Sequence, residues 1–194
     1  MPRVTTPTMA ISATLYRFQL ELADIDRNVY ESLDLRVPRH PSEDDERMVV
    51  RVLALAIAHE PGLEFGRGLS NVEDATIWRR SLTGEIETWV DIGMPSAERL
   101  HRASKRAGRV VVVTRKAESL LRKEWSSRSV HRAEALELIR LDPVLVRDLA
   151  EALERSVTWY ITIQDGVVNV AQGERSWAGS LERGTLAAFL STPS

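Results

Sequence analysis

Cysteine is absent from this chain of 194 residues, and histidine, lysine and aromatic residues are sparse. The absence of cysteine excludes disulfide bonds, thiolate catalysis and any cysteine-based zinc site. The four histidines are scattered and do not have the spacing of a metal site. A chain without cysteine is compatible with a reducing compartment, and we expect this protein to be cytoplasmic.

Long hydrophobic runs are also lacking. The longest, at residues 49–57 and 110–113, are far shorter than the about 20 residues that a membrane-spanning helix needs. Residues 1–8 lack the apolar stretch of a signal peptide, and we expect them to form a disordered extension before a single domain at residues 9–194. The 43% hydrophobic content is enough for a sizeable core without disulfides or metals.

The hydrophobic pattern predicts an α/β fold in which a mixed β-sheet is flanked by helices, with additional β-hairpins. Predicted strands lie at residues 13–22, 29–37, 76–80, 87–92, 109–114 and 135–141. Predicted helices lie at residues 43–59, 97–107 and 117–125 and after Pro143, and a second hairpin spans residues 157–170. Ser42 and Asp45 resemble a capping box at the start of the first helix. The four consecutive valines at 110–113 predict a central strand that is covered on both faces.

Three acidic residues are candidates for chemistry. Asp91 lies inside an apolar strand end, where an ionised carboxylate is costly without a charged neighbour. It could cap the helix near Ser96, pair with Arg99, or bind a divalent cation together with Asp74, which precedes the neighbouring strand. Glu46 projects along the apolar face of the first helix, or is a first-turn acid that the helix dipole favours.

Basic residues are concentrated between positions 99 and 128, a segment that contains ten lysines or arginines and only two acidic residues. This segment is a candidate surface for DNA or RNA phosphates, or simply a set of solvated helix faces. Arg102 and Lys105 lie on or beside the basic face of one helix. His40 could bind phosphate at a helix entrance, or be a hydrogen-bonded loop histidine. The tryptophans are predicted to belong to the core and not to stack on bases.

Several short motifs resemble the YaeQ family in order and spacing, over nearly the whole chain from Met9 onward. They are Ala13-Thr14-Leu15-Tyr16, Arg39-His40-Pro41-Ser42-Glu43, Glu46-Arg47-Met48, Arg67-Gly68-Leu69, Trp89-Val90-Asp91-Ile92-Gly93 with Pro95, and Thr162-Ile163-Gln164-Asp165-Gly166. The resemblance implies a PD-(D/E)XK core like that of restriction endonucleases. In such a core a helix supplies one acid and a strand meander supplies two more.

Position by position, the resemblance makes Asp74 the first acid, Asp91 the second, and Glu46 or Glu43 the helix acid, which together would hold Mg²⁺ or Mn²⁺. Gly93 stands where the motif has its lysine, so Arg102 or Lys105 is expected to supply that cation. Three hypotheses follow: a Mg²⁺-dependent nuclease, a non-catalytic module that binds DNA or RNA, and a protein-interaction module.

Overall fold

The computed structural model describes residues 14–66 and 73–192. In chain order the elements are β1 (Thr14–Asp24), β2 (Val29–Arg39), α1 (Asp45–Ile57), β3 (Glu64–Phe65), β4 (Ile77–Arg80), β5 (Ile86–Ile92), α2 (Ala97–Arg106), β6 (Arg109–Thr114), α3 (Glu118–Trp125), β7 (Glu137–Leu141), α4 (Pro143–Glu151), β8 (Ser156–Gln164), β9 (Val167–Gln172), β10 (Arg175–Thr185) and α5 (Leu186–Ser191). The predicted N-terminal extension at 1–8 and the motif at 67–69 lie outside the described residues.

All ten strands join one mixed sheet in the order β2-β1-β8-β9-β10-β7-β6-β5-β4-β3. Strand pairs β1/β8, β5/β6 and β6/β7 are parallel, and the remaining pairs are antiparallel. The predicted mixed sheet with helices and additional hairpins is therefore confirmed. The valine strand β6 lies between β5 and β7, as a central strand should.

Two hydrophobic cores lie on opposite faces of the sheet around β6. Val111 and Val113 pack in the core that contains α1 and α4, whereas Val110 and Val112 pack in the core that contains α2 and α3. The strand has no polar face because both of its faces are covered. The tryptophans at 78, 89, 125 and 159 are buried, which confirms their predicted place in the core.

The strands β1, β8 and β9 are covered on one face only, and their burial alternates along the chain. In β1, Phe18, Leu20 and Leu22 are buried, whereas Gln19 and Glu21 between them are exposed. This is the pattern of a sheet with one face in the core and one in solvent. The predicted hairpins β1/β2 and β8/β9 are both present.

Helix α1 is enclosed by the curled sheet, and all ten residues from 48 to 57 are buried. Its N-cap is Asp44, whose Oδ1 accepts a 2.6 Å hydrogen bond from the Arg47 amide. The predicted cap at Ser42 is wrong, because the Ser42 hydroxyl is engaged with His40 Nδ1. Across the described ranges, no helix combines the length and the apolarity needed to cross a membrane.

Strand β10 and helix α5 were not predicted from the sequence. β10 pairs with both β9 and β7 and so joins the two parts of the sheet. Its burial pattern has only two buried positions, Gly179 and Leu181, so it lacks the regular apolar alternation that identifies a strand. Its first half forms a hairpin with β9, and its second half pairs with the distant strand β7.

Candidate functional site

A cavity of about 320 Å³ opens at the carboxyl end of β5, between the start of α1 and the start of α2. In α/β sheets such strand ends are the usual places for ligand sites. Its charged lining is formally balanced, with three carboxylates and three guanidinium groups. These are Glu43, Asp74, Asp91, Arg47, Arg51 and Arg99, and His40 also lines the cavity.

Asp91 is 2% exposed and forms a two-pronged ion pair with Arg99. Arg99 Nε lies 2.6 Å from Oδ2 and Nη2 lies 2.7 Å from Oδ1. The Thr76 amide and hydroxyl also approach Oδ1, both at 3.4 Å. Of the three roles considered for Asp91, the structure shows the ion pair with Arg99. The cap of α2 is Ser96 and not Asp91.

The local sequence explains how this pair forms. Gly93 turns the chain with a φ of +78°, Ser96 then caps α2, and the first turn of α2 carries Arg99 back to the strand end. Burial by itself would lower the pKa of Arg99, but the hydrogen bond and charge of Asp91 outweigh it and raise that pKa above its usual value. Arg99 therefore stays ionised.

Asp74 lies on the same side of the cavity. Its backbone carbonyl accepts a 2.7 Å hydrogen bond from Arg99 Nη2, the nitrogen that also binds Asp91. The structure thus brings Asp74 and Asp91 together around one guanidinium group, at neighbouring strand ends as predicted.

The two candidates for the third acid have different positions. Glu43 is buried, lines the cavity and pairs with Arg51 Nη2 at 2.8 Å. Glu46 pairs with Arg115, is one third exposed and is not among the residues that line the cavity. The cavity therefore contains Glu43, which lies in the loop before α1 and not on the helix itself.

Two of the predicted acids, Asp91 and Glu43, are not free to bind a divalent cation as they are arranged. Within residues 14–66 and 73–192, no three histidine or acidic side chains lie close enough together to hold a metal ion. Mg²⁺ needs carboxylate oxygens that face it, whereas Asp91 and Glu43 direct theirs to arginines. A cation placed there would also be repelled by the two guanidinium groups.

The predicted lysine substitutes lie elsewhere. Arg102 pairs with Glu73 at 3.1 Å on the surface, Lys105 is exposed, and neither lines the cavity. The cavity instead receives Arg47 and Arg51 from α1, which were not predicted as site residues. Their spacing of four residues on an otherwise apolar helix was the sequence signal that could have identified them.

The basic segment at 99–128 is partly neutralised. Half of its ten basic residues form ion pairs: Arg99, Arg102, Arg109, Arg115 and Arg122. The others are exposed and have no ion pair in the described part of the chain: Lys105, Arg106, Lys116, Lys123 and Arg128. The cationic surface is thus smaller than the sequence count implies, and part of it lies at the end of α2.

The fold and the cavity define an α/β protein with one curled, mixed sheet and an arginine-rich site at a strand end. The family model described as "YaeQ protein" matches residues 9–180. The chain belongs to the YaeQ family, as its motifs predicted.

Relatives match over most of their length. "Uncharacterized protein YaeQ" of Escherichia coli (strain K12) is 33% identical over 162 residues, which cover 82% of this chain and 89% of that protein. The Salmonella typhi protein of the same description shows the same identity and coverage.

Two crystal structures have the same fold. YaeQ from Xanthomonas axonopodis pv. citri superposes with a TM-score of 0.82 at 34% identity, covering 89% of this chain and 98% of that one. YaeQ from Pseudomonas syringae gives a TM-score of 0.80 at 31% identity, covering 90% and 96%.

Proposed function

We propose that this protein is a nuclease-like module that binds nucleic-acid phosphate through the cavity and does not hydrolyse it. The observation that carries the proposal is the two-pronged Asp91–Arg99 pair. A metal-dependent nuclease would need the Asp91 carboxylate as a metal ligand, but here that carboxylate is bound to an arginine. The proposal selects the non-catalytic alternative among the three hypotheses.

The order of elements supports a PD-(D/E)XK-like core. Helix α1 is followed by the antiparallel pair β4/β5, then by α2 and by β6, which runs parallel to β5. Asp74 precedes β4 and Asp91 lies near the end of β5, as the motif requires. This arrangement agrees with the expected core at the level of topology.

The chemistry of the cavity supports binding over turnover. Phosphodiester hydrolysis needs a group that activates water, and a metal held by carboxylates is the usual one in this type of core. Asp91 and Glu43 are instead bound to Arg99 and Arg51. Gly93 provides no side chain at the lysine position. The guanidinium groups of the cavity are hydrogen-bond donors, which suit an anion.

Helix α2 supports nucleic acid as the source of that anion. Its first turn carries Arg99 into the cavity, and its exposed residues include Arg102, Lys105 and Arg106. A phosphate in the cavity would therefore lie on the helix whose surface can attract the adjoining backbone.

Fluorescence anisotropy with single- and double-stranded DNA and RNA tests the proposal. We expect binding that weakens steeply between about 50 and about 200 mM salt and is unchanged by EDTA. Calorimetry should detect no Mg²⁺ or Mn²⁺ binding to the wild type or to Asp91→Asn, which keeps the shape of the side chain.

Two results would contradict the proposal. Metal binding that is lost in Asp91→Asn, together with cleavage of a nucleic acid, would restore the Mg²⁺-dependent nuclease. Absence of salt-dependent binding to every nucleic acid would instead favour the protein-interaction module.

A further inference from the structure

Arg47 and Arg51 lie one helical turn apart on α1, and both line the cavity. Arg51 Nη2 donates hydrogen bonds to Glu43 at 2.8 Å and to the Pro38 carbonyl at 3.0 Å, while its Nε is buried without a hydrogen-bond partner among the described residues. Arg47 has no carboxylate within ion-pair distance among the described residues, and its Nε is buried without a hydrogen-bond partner there. Among the described residues, Arg51 therefore has a carboxylate partner, and Arg47 has none.

The two guanidinium groups interact with each other. Burial lowers the pKa of Arg51, Glu43 opposes that effect, and the positive charge of Arg47 lowers the pKa further. Two like charges side by side with one carboxylate between them leave an excess positive charge on this wall of the cavity. An anion beside Arg47 in the cavity would relieve that repulsion.

Gly93 lies beside Arg47. Its φ of +78° is in the left-handed region, and its amide donates a 2.8 Å hydrogen bond to the Val113 carbonyl. A Cβ at this position would lie 3.9 Å from Arg47 Nη1. Apart from the chain neighbours of Gly93, no other described atom would lie within 4 Å of it. A guanidinium group from α1 thus lies beside the position that lacks a lysine side chain.

His40 supplies a further donor at the cavity. The Ser42 amide donates to its Nδ1 at 3.2 Å, so the proton of the neutral ring is on Nε2. His40 also lines the cavity. The arrangement therefore combines a planar guanidinium fork with a single N–H donor, a set that suits an oxyanion with three acceptor oxygens.

The size of the cavity limits the ligand. Its volume of about 320 Å³ is near the lower end of the range of about 300–1,000 Å³ for small-molecule pockets. One nucleotide or one chain end can enter such a space, whereas a double helix cannot. A phosphate at the end of a chain also carries more negative charge than one within it.

We propose that Arg47, backed by Arg51 and assisted by His40, forms a binding site for one phosphomonoester group, the terminal phosphate of a nucleotide or of a nucleic-acid strand. The identification of a strand end as the source rests on the proposed function, while the anion site itself rests on Arg47. Arg47 is then the cation of this cavity in place of the missing lysine.

Three short single-stranded oligonucleotides of one sequence test this site: one with a 5′-phosphate, one with a 3′-phosphate and one with hydroxyls at both ends. They are titrated in low salt with EDTA, and calorimetry with a free 5′-mononucleotide is run in parallel. We expect a phosphorylated end to tighten wild-type binding about tenfold, the equivalent of one charge-assisted hydrogen-bonded contact.

The preference for phosphate should disappear in Arg47→Ala and be partly retained in Arg47→Lys, which keeps the charge but loses the fork. Arg17→Ala is the matched control, because Arg17 is an exposed arginine on β1 that pairs with Asp34 and does not line the cavity. Urea unfolding of each variant checks that the fold is intact, and Arg47→Lys serves as the test if Arg47→Ala is unstable.

The outcomes separate the two proposals. Oligonucleotide binding without any preference for a phosphorylated end, unchanged in Arg47→Ala, would overturn the phosphomonoester site and leave the proposed function standing. Mononucleotide binding that requires Arg47, without binding of any oligonucleotide, would support the site and overturn the nucleic-acid function. Failure of the protein to bind any of these probes would overturn both.

Discussion

The two parts of the sheet use the same types of residue in different ways. Around β6 the strands are covered on both faces, and Asp91 is a buried acid paired with Arg99 at 2.6 Å. On β1 and β2 one face is open, and Asp34 pairs with Arg17 at 3.5 Å with both side chains half exposed. The sequence chemistry of these two pairs is alike, but Asp91 is buried and Asp34 is half exposed.

The physical reason is solvation. In the open part, water screens each charge and replaces a lost partner at little cost. In the covered part, water is excluded, so an ionised group must be matched by the protein or by a ligand. The cavity, with Arg47 in its lining, lies in the covered part, and the proposed anion site would supply the match that water cannot.

The largest expected effect comes from placing a lysine in each part. Val112→Lys would bury an unpaired charge between β5 and β7 and should abolish the folded state, a loss of more than about 4 kcal/mol. Gln19→Lys, on the open face of β1, should change the free energy of unfolding by less than about 0.5 kcal/mol. Urea unfolding followed by circular dichroism measures both, and similar losses in the two variants would contradict the comparison.

The next effect comes from removing one acid of each ion pair. Asp91→Ala leaves Arg99 without its partner in a largely buried position and should destabilise the protein by about 3 kcal/mol. Asp34→Ala should leave the unfolding midpoint nearly unchanged, because its pair with Arg17 is screened. An Asp91→Ala variant as stable as the wild type would show that the pair has no structural role.

A smaller difference in stability is expected between alanine substitutions at two glycines, Gly93 and Gly184. Gly93→Ala places a side chain at a φ of +78° beside the cavity and should cost about 1 kcal/mol. Gly184→Ala in β10 has a normal φ and open space around the new Cβ, so it should be neutral or slightly stabilising. Thermal unfolding compares them, and equal midpoints would remove the backbone argument for Gly93.

The smallest effect concerns His59, at the end of α1 where the two parts of the sheet meet. Its backbone carbonyl accepts a 3.1 Å hydrogen bond from Arg27 Nη1, in the turn after β1. Burial lowers the pKa of His59, the Arg27 charge lowers it further, and Glu31 and Glu60 oppose the shift.

Because the folded pKa of His59 is below the unfolded value of about 6.5, the unfolded state binds the proton more readily. The contribution to stability is therefore present above that value and is lost as the pH falls below it. Stability should drop less between about pH 8 and about pH 5 in His59→Asn than in the wild type, measured by urea midpoints. His131→Asn, which removes an exposed imidazole, is the control, and an unchanged drop in His59→Asn would contradict the assignment.

Local pattern predicted much of the fold. The hairpins β1/β2 and β8/β9, the helices α1 and α2 and the valine strand β6 were all recognised, because alternation, helical spacing and turn residues act over a few positions. The cap of α1 was assigned two residues too early, since Ser42 and Asp44 are both good capping residues and only backbone geometry distinguishes them. Strand β10 was missed because its sequence carries little apolar pattern.

The sequence by itself determined the family, the order of the acids and their nearness to strand ends. Only the tertiary structure decided which charges meet. Asp91 and Arg99 are eight residues apart and come together through one turn, which the sequence allowed as one of three alternatives. Arg47 is in α1 and Gly93 directly follows β5, and the core brings these two elements together across a long stretch of chain. Such contacts depend on packing between distant elements, and no local spacing encodes them.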